Sequence, residues 1–140
     1  MKYHVTQKVL FRHCDPAGIV FYPRYLEMVN DSVESFFAEL GYPFHEMHKT
    51  NGVPTVKLDA SFVQASRHGD LLEFAIASTR VGGASLELAV TCDCAGERRF
   101  DANVTLVHVK NDMKSERWSD AIRAKLTSYL NSELKEASHG

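Results

Sequence analysis

One long stretch of this sequence repeats apolar residues at the three- and four-residue spacing of an amphipathic α-helix. The residues at this spacing are Tyr22, Tyr25, Leu26, Val29, Val33, Phe36, Phe37 and Leu40. Pro23 suits the first helical turn, which does not use its missing N–H, and Gly41 followed by Pro43 is a helix stop signal. Such a helix is about 28 Å long, enough to cross a whole sheet, so the other elements must be arranged around it.

Five other segments alternate apolar and polar residues, which is the pattern of half-buried β-strands. The first precedes the helix, and its apolar positions are Tyr3, Val5, Val9 and Phe11. The other four follow the helix, with apolar positions Val56, Leu58, Ala60 and Phe62, then Leu72, Phe74 and Ile76, then Leu86, Leu88 and Val90, and finally Phe100, Ala102, Val104 and Leu106. Turn-forming residues separate these four segments at positions 67–70, 82–83 and 95–97.

A second stretch of helical spacing follows the last strand, with Trp118, Ala121, Ile122, Leu126, Tyr129 and Leu130. The predicted order of elements is therefore β-α-β-β-β-β-α. We expect an α+β fold in which about five strands form an antiparallel sheet and the long helix packs on one sheet face. Unpaired edge strands favour pairing with another copy, so we also expect a dimer.

The composition predicts one ordinary domain over residues 1–140. Hydrophobic residues make up 44% of the chain, enough for a core without metal or disulfide support. The net charge of −2 and the 24% of charged residues indicate neither a nucleic-acid-binding protein nor a disordered one. The N-terminus lacks a signal-peptide pattern and no apolar run approaches the ~18 residues of a membrane span, so we expect a cytoplasmic protein.

The cysteines and one histidine pair are weak candidates for chemistry. The odd count of three cysteines, Cys14, Cys92 and Cys94, favours reduced thiols. A Cys14 nucleophile activated by His13 is disfavoured because adjacent side chains in an extended loop point apart. His45 and His48 would supply two ligands from one helical turn, but zinc takes three or four, so no metal site is predicted.

The strongest chemical signal lies in the segment that joins the first strand to the long helix. Asp15 lies a few residues before the helix start, where unpaired backbone N–H groups and the positive end of the helix dipole gather. Such a helix end can polarise a substrate carbonyl, which would then lie near the Asp15 carboxylate. Gly18 has no Cβ and lets a ligand approach the backbone. A capping or turn role for Asp15 is the alternative.

This segment resembles the signature of the 4-hydroxybenzoyl-CoA thioesterase family of hot-dog proteins. The resemblance rests on the run Asp15-Pro16-Ala17-Gly18-Ile19-Val20, the aromatic residue that follows it, Tyr22-Pro23 and Tyr25. It extends to Ala60-Ser61-Phe62-Val63 and to the spacing of Gly82 and Ser85. The order of the predicted elements also agrees with the family over most of the chain.

The resemblance implies a hot-dog dimer, and a tetramer built from two dimers, in which an acyl-CoA thioester enters between subunits. It implies that Asp15 is either the nucleophile that forms a mixed anhydride or the general base that activates water. It also implies that the backbone N–H of Tyr22 polarises the thioester carbonyl, to which Gly18 gives access. Neither a metal nor an organic cofactor is then required, since coenzyme A is part of the substrate.

Two positions depart from the family pattern. His13 stands where family members often have an acidic residue; a histidinium there would favour the ionised form of Asp15, whereas a neutral imidazole would only form a hydrogen bond. The Gly-Gly-Ala sequence at residues 82–84 lacks the basic side chains with which family members hold the CoA phosphates. The candidate substitutes are Arg67, Arg80, Arg98, Arg99 and Lys57.

Three further residues are candidate substrate contacts, each with a structural alternative. Asn30 shares the helical phase of Tyr22 and Leu26 and would read a substituent of the acyl group, or else lie on a solvated rim. Tyr25 would line an aryl pocket or belong to the core. Ser85 would contact the pantetheine arm or satisfy backbone groups near a strand bend.

The sequence thus predicts an acyl-CoA thioesterase that acts on an aromatic or a short-to-medium-chain acyl group. One alternative is a hot-dog protein that binds acyl-CoA without turnover. The other is an acyl-CoA dehydratase, for which His13 with Asp15 would form the acid–base pair at the helix start. The proline, alanine and glycine that follow Asp15 favour the thioesterase.

Overall fold

A computed structural model describes residues 1–131 of the chain. Its helices are α1 (Tyr22–Glu39), α2 (Phe44–Met47) and α3 (Asp120–Ser128). Its strands are β1 (Tyr3–Lys8), β2 (Asn51–Gly52), β3 (Thr55–Phe62), β4 (Leu71–Val81), β5 (Ser85–Cys94), β6 (Glu97–Val107) and β7 (Val109–Lys110). A single 3-10 turn, Phe11–His13, lies between β1 and α1. The predicted order of elements is confirmed, with the short elements α2, β2 and β7 in addition.

Five strands form one antiparallel sheet in the order β1-β4-β5-β6-β3. β4, β5 and β6 are neighbours in the sequence and in the sheet because short turns connect them. The turn between β5 and β6 places Ala95 and Gly96 at positive φ, 51° and 80°, which suits the twist of a two-residue hairpin. β2 and β7 form a separate two-stranded ribbon. The main sheet therefore has two edges, β1 and β3.

The core lies between α1 and one face of this sheet. The helix contributes Met28, Phe36 and Phe37, which have no exposed surface. The sheet contributes alternate residues of its three central strands: Leu72, Phe74, Ile76, Leu86, Leu88, Val90, Phe100, Ala102, Val104 and Leu106. This is the hot-dog arrangement that the sequence predicts.

The boundaries of the long helix also agree with the prediction. α1 begins at Tyr22 with Pro23 in its first turn, and Gly41 ends it with a φ of +81° that favours glycine. The ammonium group of Lys125 in α3 donates a hydrogen bond of 2.9 Å to the Leu40 carbonyl, so a cation lies at the negative end of the helix. None of the helices within residues 1–131 has the length and hydropathy required to cross a membrane.

The first strand is shorter than the alternation predicts. β1 ends at Lys8, and Phe11 lies in the 3-10 turn with 83% of its surface exposed, so its assignment to the buried strand face is wrong. The chain leaves the sheet after Val9 because the Leu10 N–H donates to Nδ1 of His13 at 2.8 Å. This contact between residues three apart closes a turn, and a strand cannot continue through it.

The last helix is also shorter than predicted. Ser119 caps it, since the Ser119 hydroxyl accepts a hydrogen bond from the Ile122 N–H at 3.2 Å. Trp118 therefore precedes α3, and its indole N–H donates to the Ser85 carbonyl at 3.0 Å. Leu130, expected on the buried stripe, is 46% exposed. The segment just before α3 is thus attached to the turn between β4 and β5.

The two sheet edges differ in how well their apolar residues are covered. On β1, Tyr3 and Val5 are half-buried against the core. On β3, Val56, Leu58 and Phe62 alternate as predicted but remain 60%, 41% and 48% exposed. The β3 edge therefore presents both unpaired backbone groups and an apolar surface.

Candidate active site

Asp15 opens a tight loop between the 3-10 turn and α1. Its N–H donates to the Ile19 carbonyl at 3.0 Å, and its own carbonyl accepts from the Gly18 N–H at 2.9 Å. The Asp15 carboxylate accepts one hydrogen bond, from the Ala17 N–H to Oδ1 at 2.9 Å. Within residues 1–131 Oδ2 has no partner, so one oxygen is fixed and the other is available.

The conformation of this loop depends on Gly18. Its φ is +82°, in the left-handed region that side chains with a Cβ disfavour. Nη1 of Arg67 lies 3.9 Å from the point where a Cβ on Gly18 would be, so the Arg67 guanidinium crosses the open side of the loop. The Arg67 side chain is exposed and forms no salt bridge within residues 1–131, and its charge contributes to the lowered pKa of Asp70.

The N-terminus of α1 leaves a hydrogen-bond donor beside this loop. Phe21, the residue before the helix, makes no side-chain cap, and its N–H donates to the His13 carbonyl at 3.0 Å. In the described part of the chain the Tyr22 N–H has no acceptor, as is usual in a first helical turn. The Tyr22 N–H and the positive helix end are thus free to bind an oxygen atom.

The segment at residues 64–70 holds the loop in place. The Val20 N–H donates to the Ser66 carbonyl at 2.9 Å, and Ile19 bridges to Arg67. The Tyr25 hydroxyl donates to the Ser66 hydroxyl at 2.8 Å, which joins the first turns of α1 to the same segment. Tyr25 is buried, and this burial raises its pKa. Tyr25 therefore packs in the core, and its hydroxyl joins α1 to this segment.

Arg99 of β6 fixes this segment from the sheet. Its Nη1 donates to the Ala65 carbonyl at 2.9 Å, to the Ser66 hydroxyl at 3.1 Å and to Asp70 Oδ2 at 2.9 Å. The backbone N–H of Arg67 and the Arg99 guanidinium together hold the pKa of Asp70 below its ordinary value. From the sequence, Arg99 is a candidate only for phosphate binding, and Ser66 is not a candidate at all. Their hydrogen bond joins residues 33 positions apart, so no local pattern indicates it.

His13 is buried, and its Nδ1 accepts a hydrogen bond from Leu10. Burial, reinforced by the nearby Arg12 guanidinium, lowers the pKa of His13, so it is neutral at pH 7. No hydrogen bond between His13 and Asp15 occurs within residues 1–131. The structure therefore favours the neutral imidazole, whose described partner is Leu10.

The remaining candidates lie apart from Asp15. Ser85 and Arg80 are at the far end of the β4–β5 hairpin, since β1, which leads to Asp15, pairs with the other end of β4. The Ser85 hydroxyl fills the space beside Gly82, and Arg80 pairs with Glu87 at 3.9 Å. Arg98 pairs with Asp93 at 2.6 Å. Within one chain the structure thus brings together Asp15, Gly18, Tyr22, Tyr25 and Arg67.

Two grooves flank the exposed side of α1. One of about 540 Å³ lies beside the helix start, and its lining is Ile19, Val20, Tyr22, Tyr25 and residues 62–65. A second, of about 620 Å³, lies between the middle of α1 and β3, and Leu26, Asn30 and Leu58 are part of its wall. Asn30 is exposed there, in a groove lined by both apolar and polar side chains.

No group of three acidic, histidine or cysteine side chains in residues 1–131 is arranged to hold a metal ion. His48 uses its Nδ1 in a contact of 2.8 Å with the Phe44 carbonyl, and His45 lies 3.7 Å from Glu46. The three cysteines are unpaired thiols, and burial raises the pKa of Cys92 to about 12.

The sequence profile of the thioesterase-like superfamily matches residues 9–126, which include the whole Asp15 loop and four of the five strands of the main sheet. The chain belongs to the thioesterase-like superfamily. Over 72 residues it is 33% identical to the 4-hydroxybenzoyl-CoA thioesterase of Pseudomonas sp. (strain CBS-3). That alignment covers 49% of this chain and 51% of the relative, about half the length of each.

Solved structures of several other proteins share the fold. A 1,4-dihydroxy-2-naphthoyl-CoA thioesterase from Synechocystis superposes with a TM-score of 0.84 at 15% identity, covering 91% of this chain and 96% of that one. A gentisyl-coenzyme A thioesterase superposes with a TM-score of 0.80 at 24% identity, covering 90% of this chain and 99% of that one. A Staphylococcus aureus protein in complex with CoA superposes with a TM-score of 0.85 at 14% identity, covering 94% of this chain and 87% of that one.

Proposed function

We propose that this superfamily member is an acyl-CoA thioesterase in which Asp15 is the catalytic carboxylate. The observation that carries the proposal is that one loop has a carboxylate oxygen at its start and a helix N–H at its end, both without hydrogen-bond partners in the described part of the chain. The conformation of this loop depends on Gly18. Asp15 Oδ2 and the Tyr22 N–H both lack partners in residues 1–131, and the loop between them is fixed by backbone hydrogen bonds. Thioester hydrolysis needs both groups, one to attack or activate and one to stabilise the oxyanion.

The reaction can follow either of two balanced routes. In the first, Asp15 Oδ2 bonds to the thioester carbon, the C–S bond breaks, and CoA leaves as a thiolate that takes a proton from water. Water then hydrolyses the mixed anhydride and regenerates the carboxylate. In the second, Asp15 removes a proton from water as the water oxygen bonds to the carbon, and the departing thiolate receives a proton. The Tyr22 N–H stabilises the oxyanion in both.

The two routes differ in which oxygen enters the product. In a single turnover in ¹⁸O-labelled water, the general-base route places the label only in the released acid. The nucleophile route with water attack on the Asp15 carbonyl labels the protein, which increases the mass of the peptide that contains Asp15. Neither route requires a metal or an organic cofactor.

The proposed acyl group is a hydroxylated aromatic acid. Three similar proteins are named for hydroxybenzoyl, dihydroxynaphthoyl and gentisyl thioesters of CoA. The larger groove begins at Leu26, one helical turn beyond Tyr22, and Asn30 is part of its wall, which also contains polar residues such as Asn51 and Lys110. An amide at that position can bind a ring hydroxyl. A short-to-medium-chain acyl group, which needs no such partner, is the alternative.

The proposed assembly is a dimer, in which β3 of one chain pairs with β3 of a second copy. The edge is open, and Val56, Leu58 and Phe62 would be covered by such pairing. A two-fold axis makes the contact self-complementary. A tetramer would result from two such dimers. Light scattering on the purified protein distinguishes monomer, dimer and tetramer.

The two alternative functions receive less support. A dehydratase would use His13 as the partner of Asp15, but the described hydrogen bond of the His13 ring is to the Leu10 N–H. A protein that only binds acyl-CoA would have no use for a carboxylate oxygen left free beside a helix N-terminus. Incubation with a 3-hydroxyacyl-CoA separates these functions, because a dehydratase produces enoyl absorbance and a thioesterase produces free thiol.

The test is release of free CoA thiol from aryl-CoA and straight-chain acyl-CoA substrates by wild type and by Asp15→Asn. We expect hydrolysis of hydroxylated aryl-CoA esters and a loss of at least about 10³ in kcat for Asp15→Asn, with binding retained. Asp112→Asn, which keeps the acceptor for the Lys114 N–H, is the matched control. Binding of CoA esters without thiol release by wild type would overturn the proposal.

A further inference from the structure

The larger of the two grooves beside α1 extends well past the helix start. Leu26 and Leu58 line it near one end, and Val33 and Thr55 line it further along the same two elements. The helix from Leu26 to Val33 and the strand from Thr55 to Leu58 are each roughly 10 Å long at their usual rise per residue. The groove therefore continues for about two helical turns beyond its start.

Ring contacts show which end of the groove faces the helix start. Next to the near end, the ring centres of Tyr22 and Phe62 are 6.0 Å apart, so this end adjoins the proposed position of the thioester carbonyl. Beyond the far end of the groove wall on α1, the rings of Phe37 and Phe44 are 5.7 Å apart, and the His48 ring is 5.3 Å from Phe44. His48 thus lines the end of the groove that is farthest from the helix start.

A single aromatic ring occupies only the first part of this groove. A benzoyl group is about as long as one helical turn, about 5.4 Å, so a ring whose thioester carbonyl binds the Tyr22 N–H ends between Leu26 and Asn30. The groove volume of about 620 Å³ lies within the range of about 300–1,000 Å³ that is typical of sites for drug-sized ligands. The far part of the groove is therefore available to a longer acyl group.

The far end of the groove offers a hydrogen-bond acceptor to such a group. Nδ1 of His48 lies 2.8 Å from the Phe44 carbonyl oxygen. Because a carbonyl oxygen only accepts, Nδ1 carries the hydrogen, and Nε2 of the neutral ring is an acceptor. No hydrogen bond within residues 1–131 uses this Nε2. The neighbouring Asn51 side chain, by contrast, donates to the Val109 carbonyl at 3.1 Å and to Glu116 at 3.0 Å.

Gly52 leaves a space in front of this acceptor. A Cβ at this glycine would lie 3.9 Å from Nε2 of His48, 3.8 Å from Cγ2 of Val109 and 3.9 Å from Cδ of Pro54. These are ordinary contact distances, so the space admits one carbon or oxygen atom. Two of its neighbours are apolar and the third is the free acceptor. Such a space suits a hydroxyl group at the end of an apolar ligand.

We propose that the acyl group of the substrate extends beyond its first ring and ends in a hydroxyl that occupies the space at Gly52 and donates a hydrogen bond to Nε2 of His48. The proposal rests on the proposed thioesterase function and specifies its substrate class further. Asn30 would then bind a hydroxyl of the first ring, while His48 selects the far end of the acyl group.

The test compares two series of CoA esters with wild type. One series is 4-alkylbenzoyl-CoA with alkyl chains of increasing length, and the other has a hydroxyl at the end of each chain. We expect kcat/KM to rise at least about tenfold with chain length in the first series, because the chain is buried against apolar walls. The terminal hydroxyl should add about fivefold only where the chain spans the groove, since one neutral hydrogen bond is gained.

Two variants remove the acceptor and the space separately. His48→Leu removes Nε2, and Gly52→Ala fills the space with a methyl group at ordinary contact distances. Each should reduce the preference for the hydroxylated chain, expressed as the ratio of kcat/KM values, to about one. His48→Gln, whose amide oxygen can accept, should retain part of the preference. The matched control is His45→Leu, since His45 belongs to α2 and does not line the groove; it should keep the preference of wild type.

Three results would overturn the proposal. The first is equal kcat/KM for hydroxylated and plain chains of every length in wild type. The second is a preference for the hydroxyl that persists in both His48→Leu and Gly52→Ala. The third is a stronger preference for a terminal carboxylate that Lys110→Gln removes, because the exposed Lys110 ammonium on the same wall would then bind the far end.

Failure of the proposed function gives a different result. If wild type releases thiol from none of these esters, the thioesterase proposal is wrong, and calorimetric binding of the same esters still tests the far end of the groove. Tighter binding of the hydroxylated ester, lost in His48→Leu, supports the His48 site independently of turnover. Equal binding of the hydroxylated and plain esters at every chain length overturns it.

Discussion

The two ends of the β4–β5 hairpin are built in different ways. At the Asp15 end, a contiguous loop forms most of the site, and its geometry comes from short backbone hydrogen bonds and one left-handed glycine. At the other end, the turn at residues 82–84 has the sequence Gly-Gly-Ala. The guanidinium of Arg117, from a segment far along the sequence, lies over Gly83. The comparison shows that the conformation of the Asp15 loop is encoded locally, whereas the placement of Arg117 over Gly83 depends on the tertiary fold.

The largest expected effect tests how the Asp15 end is held. Arg99→Gln removes the donor shared by Ala65, Ser66 and Asp70 and leaves the half-buried Asp70 carboxylate without its cation. We expect a decrease of about 2–3 kcal/mol in the free energy of unfolding, measured by urea denaturation, because the bonds of a mostly buried charged group are lost.

Arg98→Gln on the same strand is the control for this prediction. The Arg98 side chain is 41% exposed and pairs with Asp93 at 2.6 Å and, more loosely, with Asp101 at 3.6 Å, so its loss should cost about 1 kcal/mol. Equal destabilisation by both substitutions would show that Arg99 does not hold the loop segment.

The next-largest expected effect is that of Gly18→Ala on both the stability of the protein and its kcat. Gly18→Ala forces a side chain into a φ of +82° and should destabilise the protein by about 1–2 kcal/mol. It should also lower kcat about tenfold or more, because Asp15 and the Tyr22 N–H are displaced relative to each other.

Gly96→Ala imposes a similar strain, at a φ of +80°, on the remote turn between β5 and β6. It should give a similar loss of stability with kcat unchanged. If Gly18→Ala and Gly96→Ala reduce kcat alike, the Asp15 loop has no special role in catalysis.

These loops also show what the sequence could and could not predict. The order of elements, the long helix and the Asp15–Tyr22 loop were predictable because each is encoded in a contiguous pattern. The early end of β1 was not, since a side-chain contact of His13 closes the turn at Leu10. The placement of Arg117 over Gly83 depends on how the segment before α3 packs, which no local pattern reveals.

A smaller effect is expected on the pH dependence of stability, through the buried His13 side chain. Burial lowers the pKa of His13 from its ordinary 6.5, so between the two values the unfolded chain binds more protons than the folded one. This contribution to stability is present above pH 6.5 and is lost as the pH falls below it. We expect the thermal midpoint of His13→Asn, whose Oδ1 can accept the Leu10 N–H, to decrease less than that of wild type on acidification. If the thermal midpoints of wild type and His13→Asn decrease equally on acidification, the result contradicts the conclusion that His13 is buried in its neutral form.

The smallest effect concerns the acyl group. Asn30→Leu should reduce the preference for 4-hydroxybenzoyl-CoA over benzoyl-CoA, expressed as the ratio of kcat/KM values, by about fivefold, since one neutral hydrogen bond to the ring hydroxyl is lost. Benzoyl-CoA hydrolysis serves as the internal control for folding and for the Asp15 loop. An unchanged ratio would place Asn30 on a solvated rim without a role in specificity.

The central proposal, that Asp15 is the catalytic carboxylate, is tested most directly by comparing Asp15→Asn with Asp112→Asn for release of free thiol from 4-hydroxybenzoyl-CoA. The account predicts a loss of at least about 10³ in kcat for Asp15→Asn with an unchanged unfolding midpoint, and no loss of kcat for Asp112→Asn. Equal kcat values for the two variants would contradict it.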